Sequence, residues 1–224
     1  METAAPLWER SALRDAAGET LRPGGFALTD RAAERIGLTP GRRVLDVGSG
    51  LGATVARLRA RYGADAWGVE PSAVQAERAG SRAHLVRAVG GALPFRSGFF
   101  EAVFCECVLS LLPDPAAGMG EFARVLAPSG HLVLTDLCAV AGAGRELGCG
   151  STSIPAAGQS CADRAMPVAA VRALAEAHGL DVVVVEDHAR HLRDLAARLI
   201  LAGEAGFPCG RGLGYYLMIA RKGG

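Results

Sequence analysis

Apolar and polar positions along the chain change period repeatedly, and the changes mark out elements. Val44, Leu45 and Val47 form a short apolar run that predicts a buried strand, and Val55 and Leu58 follow on one face of a helix over about 53–62, broken at Gly63. Residues 66–70 predict a second strand, Pro71 and Ser72 open a helix through about Ala79, and 84–88 is a short third strand. A fourth strand runs from Ala102 to about Cys107, with Glu101 just ahead of it. Met119, Phe122, Val125 and Leu126 recur at helical spacing, Pro128-Ser129-Gly130 turns the chain, and 131–137 is a fifth strand. Pro167 opens a helix through His178 that Gly179 stops, and the valine run over 181–186 is a sixth strand. A helix over about 189–202 and a last strand over 215–220 complete the chain. Residues 1–20 read as one short amphipathic or partly ordered helix, 21–25 as a breaker cluster, and Thr29-Asp30 as the cap of a helix over 31–36 stopped at Gly37. Residues 138–166 break the pattern: three cysteines lie among small residues without an apolar period, as in a loop-rich insertion of the functional or mobile kind.

The first strand ends in Asp46-x-Gly48-Ser49-Gly50-x-Gly52 and runs straight into a helix. Glycine tolerates positive φ and carries no Cβ, so such a turn lets backbone N–H groups approach a ligand closely. A nucleotide-type site of this design also needs an acid about twenty residues on, at the end of the next strand, to hold ribose hydroxyls. Glu70 stands there. The NAD fingerprint G-x-G-x-x-G is not met, because Ala53 follows Gly52.

These segments resemble the Rossmann-like, class I S-adenosylmethionine-dependent methyltransferases: VLDVGSGLG at strand one, GVEPS at strand two, LPFRSGFFEAVF into strand four, EFARVLAPSGHLVLTD into strand five. The resemblance spans about residues 40–137 and implies an α/β fold, a doubly wound, seven-stranded, mostly parallel sheet with an antiparallel last strand, in a single domain over 1–224 whose segment 1–38 is helical. It also implies a cofactor site for S-adenosyl-L-methionine. Asp46 and Gly48, Ser49, Gly50 and Gly52 would surround the methionine and ribose part, with Glu70 and Pro71 at the ribose and Glu106 at the end of strand four. Val89 stands where relatives place an aspartate for the adenine amino group, which leaves the backbone of Val89 and Gly90 to serve. In related enzymes the segment before strand one covers the cofactor, which would set Arg22 against the methionine carboxylate; a plain loop is the alternative.

Charge narrows the acceptor. Twenty-four basic residues against twenty-three acidic leave a net charge of +1 with no clustered positive footprint, which argues against nucleic acid. No apolar segment reaches membrane-spanning length and the first twenty residues lack a signal-peptide core, so the expectation is a cytoplasmic protein with mostly reduced thiols. The Asn/Asp-Pro-Pro-Tyr/Phe signature of amide and amine methylation is missing from strand four, where Phe104-Cys105-Glu106-Cys107-Val108-Leu109 stands instead. The partner expected is a small-molecule methyl acceptor; the oligomeric state is left open.

A narrower resemblance, in ECVLSLLPDPAAGMGEFARVL, is to the arsenite methyltransferases. It implies Cys107 as a metalloid-binding catalytic thiol, with Cys161 matching a second such cysteine by position. Soft thiolates suit a soft metalloid. No cysteine precedes Cys105, so the site would have two thiols unless Cys105, Cys138, Cys149, Cys209 or an added thiol completes it. Cysteine also packs as a small apolar residue, the preferred reading for Cys105. The alternatives are carbon or oxygen methylation of an apolar metabolite, as in quinone-pathway enzymes, and a non-catalytic cofactor- or metal-binding protein. Zinc spacing is poor, since Cys138, Cys149 and Cys161 form no C-x-x-C pair. His84 and His131 start strands, His178 suits a helix end, and His188 or His191 is the nearest candidate base.

Overall fold

The computed structural model describes residues 11–80, 84–140, 161–203 and 212–224. Its strands are β1 (Arg43–Val47), β2 (Asp65–Val69), β3 (His84–Val86), β4 (Phe100–Glu106), β5 (Leu126–Ala139), β6 (Leu180–Asp187) and β7 (Leu213–Lys222). The α-helices are α1 (Ser11–Ala17), α2 (Gly25–Arg35), α3 (Ala53–Tyr62), α4 (Ala73–Ala79), α5 (Pro115–Val125), α6 (Val168–Ala177) and α7 (Ala189–Leu201). One sheet of order β3-β2-β1-β4-β5-β7-β6 holds all seven strands, and β7 runs antiparallel to both neighbours. The expected doubly wound α/β sheet is therefore present. Strand order reverses between β1 and β4, and in such sheets that reversal opens a crevice beyond the carboxyl ends of the strands.

Alternation along the central strands explains both faces of the sheet. Val44, Ala102, Phe104 and Val133 join Val55, Leu58, Ala32 and Ala33 on one face. Leu45, Val47, Val103, Cys105 and Leu134 pack with Met119, Phe122 and Leu126 on the other. Asp46 shares the parity of Val44, and Glu106 that of Phe104, which pairs with Asp46 in register. Two carboxylates thus reach the same face at the crevice end of neighbouring strands. Cys105, in the opposite layer and 1% exposed, is core, as its mid-strand place suggests.

Several boundaries differ from the expected ones. α2 begins at Gly25, behind Gly24 in the left-handed region at φ 75°, so Thr29 is no cap but a fully buried interior residue. The stripe Leu28, Ala32 and Ala33 draws the helix start forward. β4 starts at Phe100 and takes in Glu101, which pairs with Arg43. It stops at Glu106, because Cys107 turns left-handed at φ 58°. β5 follows α5 directly from Leu126, with a register shift between the pairs Phe100–Leu126 and Ala102–His131 where a turn was expected. Cys149, Cys209 and most of the 138–166 insertion lie outside the described residues.

Glu186 ties α2 to β6. Its carboxylate accepts from Arg31 Nε and Nη2, from Arg35 Nη2 at 2.9 Å and pairs with His188 Nε2 at 3.1 Å. The Arg31 hydrogen bonds, against partial burial and with help from His188, hold the carboxyl at about 2. A depressed folded-state pKa contributes stability above the unfolded value and loses it as pH falls. Wild type should therefore lose stability between its ordinary range, near 4.5, and about 2 more steeply than Glu186→Gln in acid denaturation, and equal slopes would contradict this role.

Candidate active site

A cavity of about 720 Å³ opens at the carboxyl ends of β1, β2 and β4, within the size range of small-molecule sites. Its floor is the glycine turn. Gly48 N–H and Ser49 N–H donate to the Val69 carbonyl at 2.8 and 3.0 Å, which pins the turn to the end of β2. A Cβ at Gly48 would lie 2.3 Å from Val108 Cγ2, so only glycine lets the turn nest against the segment after β4. Glu70 bridges back across the floor: Oε2 accepts from Gly50 N–H at 2.9 Å and Oε1 from Ser72 N–H at 2.8 Å.

Beside the floor lies a buried charge cluster. Arg22 Nη2 donates to Glu106 Oε2 at 2.7 Å, to Thr29 Oγ1 at 2.6 Å and to Thr54 Oγ1 at 3.0 Å. Thr29 and Thr54 hydroxyls also donate to Glu106, each at 3.0 Å. Burial, the largest effect, works against the Arg22 charge, but Glu106 together with Tyr215, Asp46 and Cys107 keeps the guanidinium above its ordinary pKa. Asp46 is 4% exposed and has no hydrogen-bond donor among the described residues. Burial, then the neighbouring Glu106 charge, pushes its carboxyl well above the usual range despite Arg22.

Of the positions picked from sequence, Asp46, Gly48, Ser49, Gly50, Glu70, Pro71, Val89, Gly90, Glu106 and Cys107 line this cavity. Gly52 does not; it is the left-handed cap of α3 at φ 73°. Cys161 is not among the lining residues, though it packs in one side-chain cluster with Cys107, Tyr215 and Leu137. Cys107 Sγ sits 3.1 Å from Tyr215 Oη, whose hydroxyl donates to Thr135 Oγ1 at 3.1 Å. Burial and then Asp136 push the Cys107 thiol well up, and the same two causes take Cys161 to about 12. Both are therefore thiols, not thiolates, at neutral pH. His188 and His191 lie outside the wall; His188 pairs with Glu186.

Sequence reading missed the upper wall. Leu111, Leu112, Pro113 and Arg164 face the cavity, and Arg164 Nη2 donates to the Leu112 carbonyl at 2.6 Å and the Pro113 carbonyl at 3.1 Å. Asp136 fixes the same turn by accepting from Ser110 N–H at 2.9 Å and Ser110 Oγ at 2.8 Å. Burial raises the Asp136 carboxyl to about 6 against those bonds. Of the charge cluster, Arg22 and Glu106 were picked from sequence and both line the cavity, whereas Thr29 and Thr54 were not read as site residues.

Among the described residues, Ser49 Oγ and Arg22 Nε are buried polar atoms of cavity-lining residues with no hydrogen-bond partner, which leaves both able to bind a polar group. A ligand offering hydroxyls, a carboxylate and positive charge fits this set of donors and carboxylates.

Comparison with known proteins agrees with that chemistry. Residues 45–134 match the family model described as a methyltransferase domain. The chain is 35% identical to chloroplastic tocopherol O-methyltransferase of Arabidopsis thaliana over 43% of this chain and 30% of that protein. It is 33% identical to the ubiquinone biosynthesis O-methyltransferase of Alkalilimnicola ehrlichii over 48% of this chain and 47% of that one. The chain spans about half or less of the length of the curated relatives it matches. Phosphoethanolamine N-methyltransferase 2 of Haemonchus contortus, solved with S-adenosyl-L-methionine, shares the fold at TM-score 0.77 and 17% identity, covering 95% of this chain and 56% of that one. Residues 45–134 thus carry a methyltransferase domain, and the glycine-turn site lies within it at the crevice of the β3-β2-β1-β4-β5-β7-β6 sheet.

Proposed function

We propose that the chain transfers a methyl group from S-adenosylmethionine to oxygen or carbon of a small, apolar metabolite. The observation that carries the cofactor reading is the set of three buried carboxylates, Asp46, Glu70 and Glu106, around a glycine turn that lines the same cavity and whose Gly50 N–H donates to Glu70. Bound there, the cofactor supplies a sulfonium methyl as electrophile, so the protein's tasks are alignment, exclusion of water and binding. Glu70 would accept the ribose hydroxyls, Val89 and Gly90 would lie along the adenine, and Asp46 would face the cationic methionine end. Pro71 and Ser49 complete the ribose edge. Gly52 contributes by starting α3, without touching the ligand.

The apolar character of Leu21, Val108, Leu111, Leu112 and Pro113 along the cavity supports an apolar acceptor. The tocopherol and ubiquinone-pathway relatives, both O-methyltransferases by name, point the same way. A second reading, a soft centre such as arsenite held by Cys107 and Cys161, rests on their shared cluster beside the cavity. Burial raises both thiols, which makes their thiolates harder to form and favours the first reading.

Calorimetry with the methyl donor and with NAD tests the cofactor assignment; tight NAD binding with none for the donor would sink it. For the acceptor, arsenite should not stimulate formation of the demethylated cofactor, and Cys107→Ser Cys161→Ser should keep cofactor affinity. Arsenite-driven turnover that the double variant loses would instead assign both thiols to catalysis.

A further inference from the structure

We infer that cofactor binding is proton-coupled: Asp46 is a neutral acid in the free protein and gives its proton to solvent when the cationic methyl donor enters. The inference rests on the cofactor reading above and concerns this chain's own charges. The charged groups that act on Asp46 are Glu106 from β4, the Arg22 guanidinium from the segment before α2 and Glu70 from the end of β2; the Cys105 thiol of β4 lies in the opposite layer. Three carboxylates of 4%, 7% and 6% exposure thus line the cavity, and among the described residues the buried Arg22 cation pairs directly with Glu106 alone.

Hydrogen bonding decides which of them carries the proton. Glu106 has Arg22 and two threonine hydroxyls; Glu70 has two backbone N–H donors. Among the described residues Asp46 has neither donor nor direct ion pair, so in a buried site its charge is the most costly of the three. The donor brings an ammonium, a sulfonium and one carboxylate, a net positive charge that favours the ionised acid. On binding, the Asp46 O–H bond breaks and the proton passes to buffer, with no other bond changed. The demethylated product has a neutral thioether in place of the sulfonium and drives the release less. Proton release would thus help the site distinguish donor from product.

The test is calorimetric titration of the full chain with donor and with product in two buffers of different ionisation enthalpy. Wild type should release up to about one proton per donor bound, and less per product, with donor affinity rising as pH rises by up to about tenfold per unit while Asp46 titrates. Asp46→Asn, which copies the neutral acid, should bind with no proton release and a flat pH profile. Should that variant not bind, an infrared difference spectrum of wild type decides: a protonated-carboxyl band should disappear on adding donor. Binding without buffer dependence, release unchanged in Asp46→Asn, or no loss of that band would overturn the coupling and leave the cofactor reading intact. Absence of binding by wild type would remove both.

Discussion

Gly50→Val is expected to reduce affinity for the methyl donor on the order of 100-fold, about 2.7 kcal/mol, while the protein still folds. Gly50 stands at φ 51°, and a Cβ there would meet only Leu21 Cδ1, at 3.9 Å. The fold therefore has room for a side chain. The cost to stability is that of holding a β-branched residue left-handed, about 1–2 kcal/mol. Binding suffers more, because the isopropyl group would occupy the cavity floor beside the Glu70 carboxylate, where the ribose is proposed to lie. Calorimetry beside a melting curve separates the two effects. Unchanged donor affinity in a folded variant would show that the ligand does not approach this turn.

Arg22→Ala should have the largest effect on folding, a loss of about 3 kcal/mol in denaturant unfolding. The side chains of Arg22 and Glu106 are 6% and 2% exposed, so removing the cation leaves a buried carboxylate supported, among the described residues, by Thr29 and Thr54. Breaking such a pair usually costs about 3–5 kcal/mol, and the threonine hydroxyls and the adjoining cavity place this case at the lower end. Replacing both partners, as Arg22→Met Glu106→Leu, should recover much of the loss, since neither charge is then stranded. A single variant as stable as wild type would mean that the pair does not fasten the segment before α2 to β4.

These two positions also show how far the sequence could be read. Gly50 and Glu70 were legible because the signal is local: a strand, a tight glycine turn and an acid at the next strand end lie within one βαβ unit. The partners of Glu106 were not. Arg22, Thr29 and Thr54 come from three segments, and the contacts span 32 residues from Arg22 to Thr54 and 77 from Thr29 to Glu106. Thr29-Asp30 ahead of an apolar stretch imitates a helix cap, and the left-handed Gly24 that starts α2 one turn earlier hid the role of Thr29. Cys107 was visible as a thiol at a strand end. Its φ of 58°, which turns it away from the alternation of β4 and toward Tyr215, has no signature in a non-glycine residue.

The expected topology followed from element order and resemblance together. What it left out was the wall built by Leu111–Pro113 under Arg164 and Asp136, because both clamps reach it from β5 or beyond.

The cavity at the carboxyl ends of β1, β2 and β4 is proposed to hold S-adenosylmethionine through Glu70 and the glycine turn. A crystal structure with the demethylated cofactor tests it most directly. Both ribose hydroxyls should lie within hydrogen-bond distance of the Glu70 carboxylate, with the adenine along Val89 and Gly90 and the amino-acid end facing Asp46. A ligand seated elsewhere, or one in this cavity with Glu70 making no ribose contact, would contradict it.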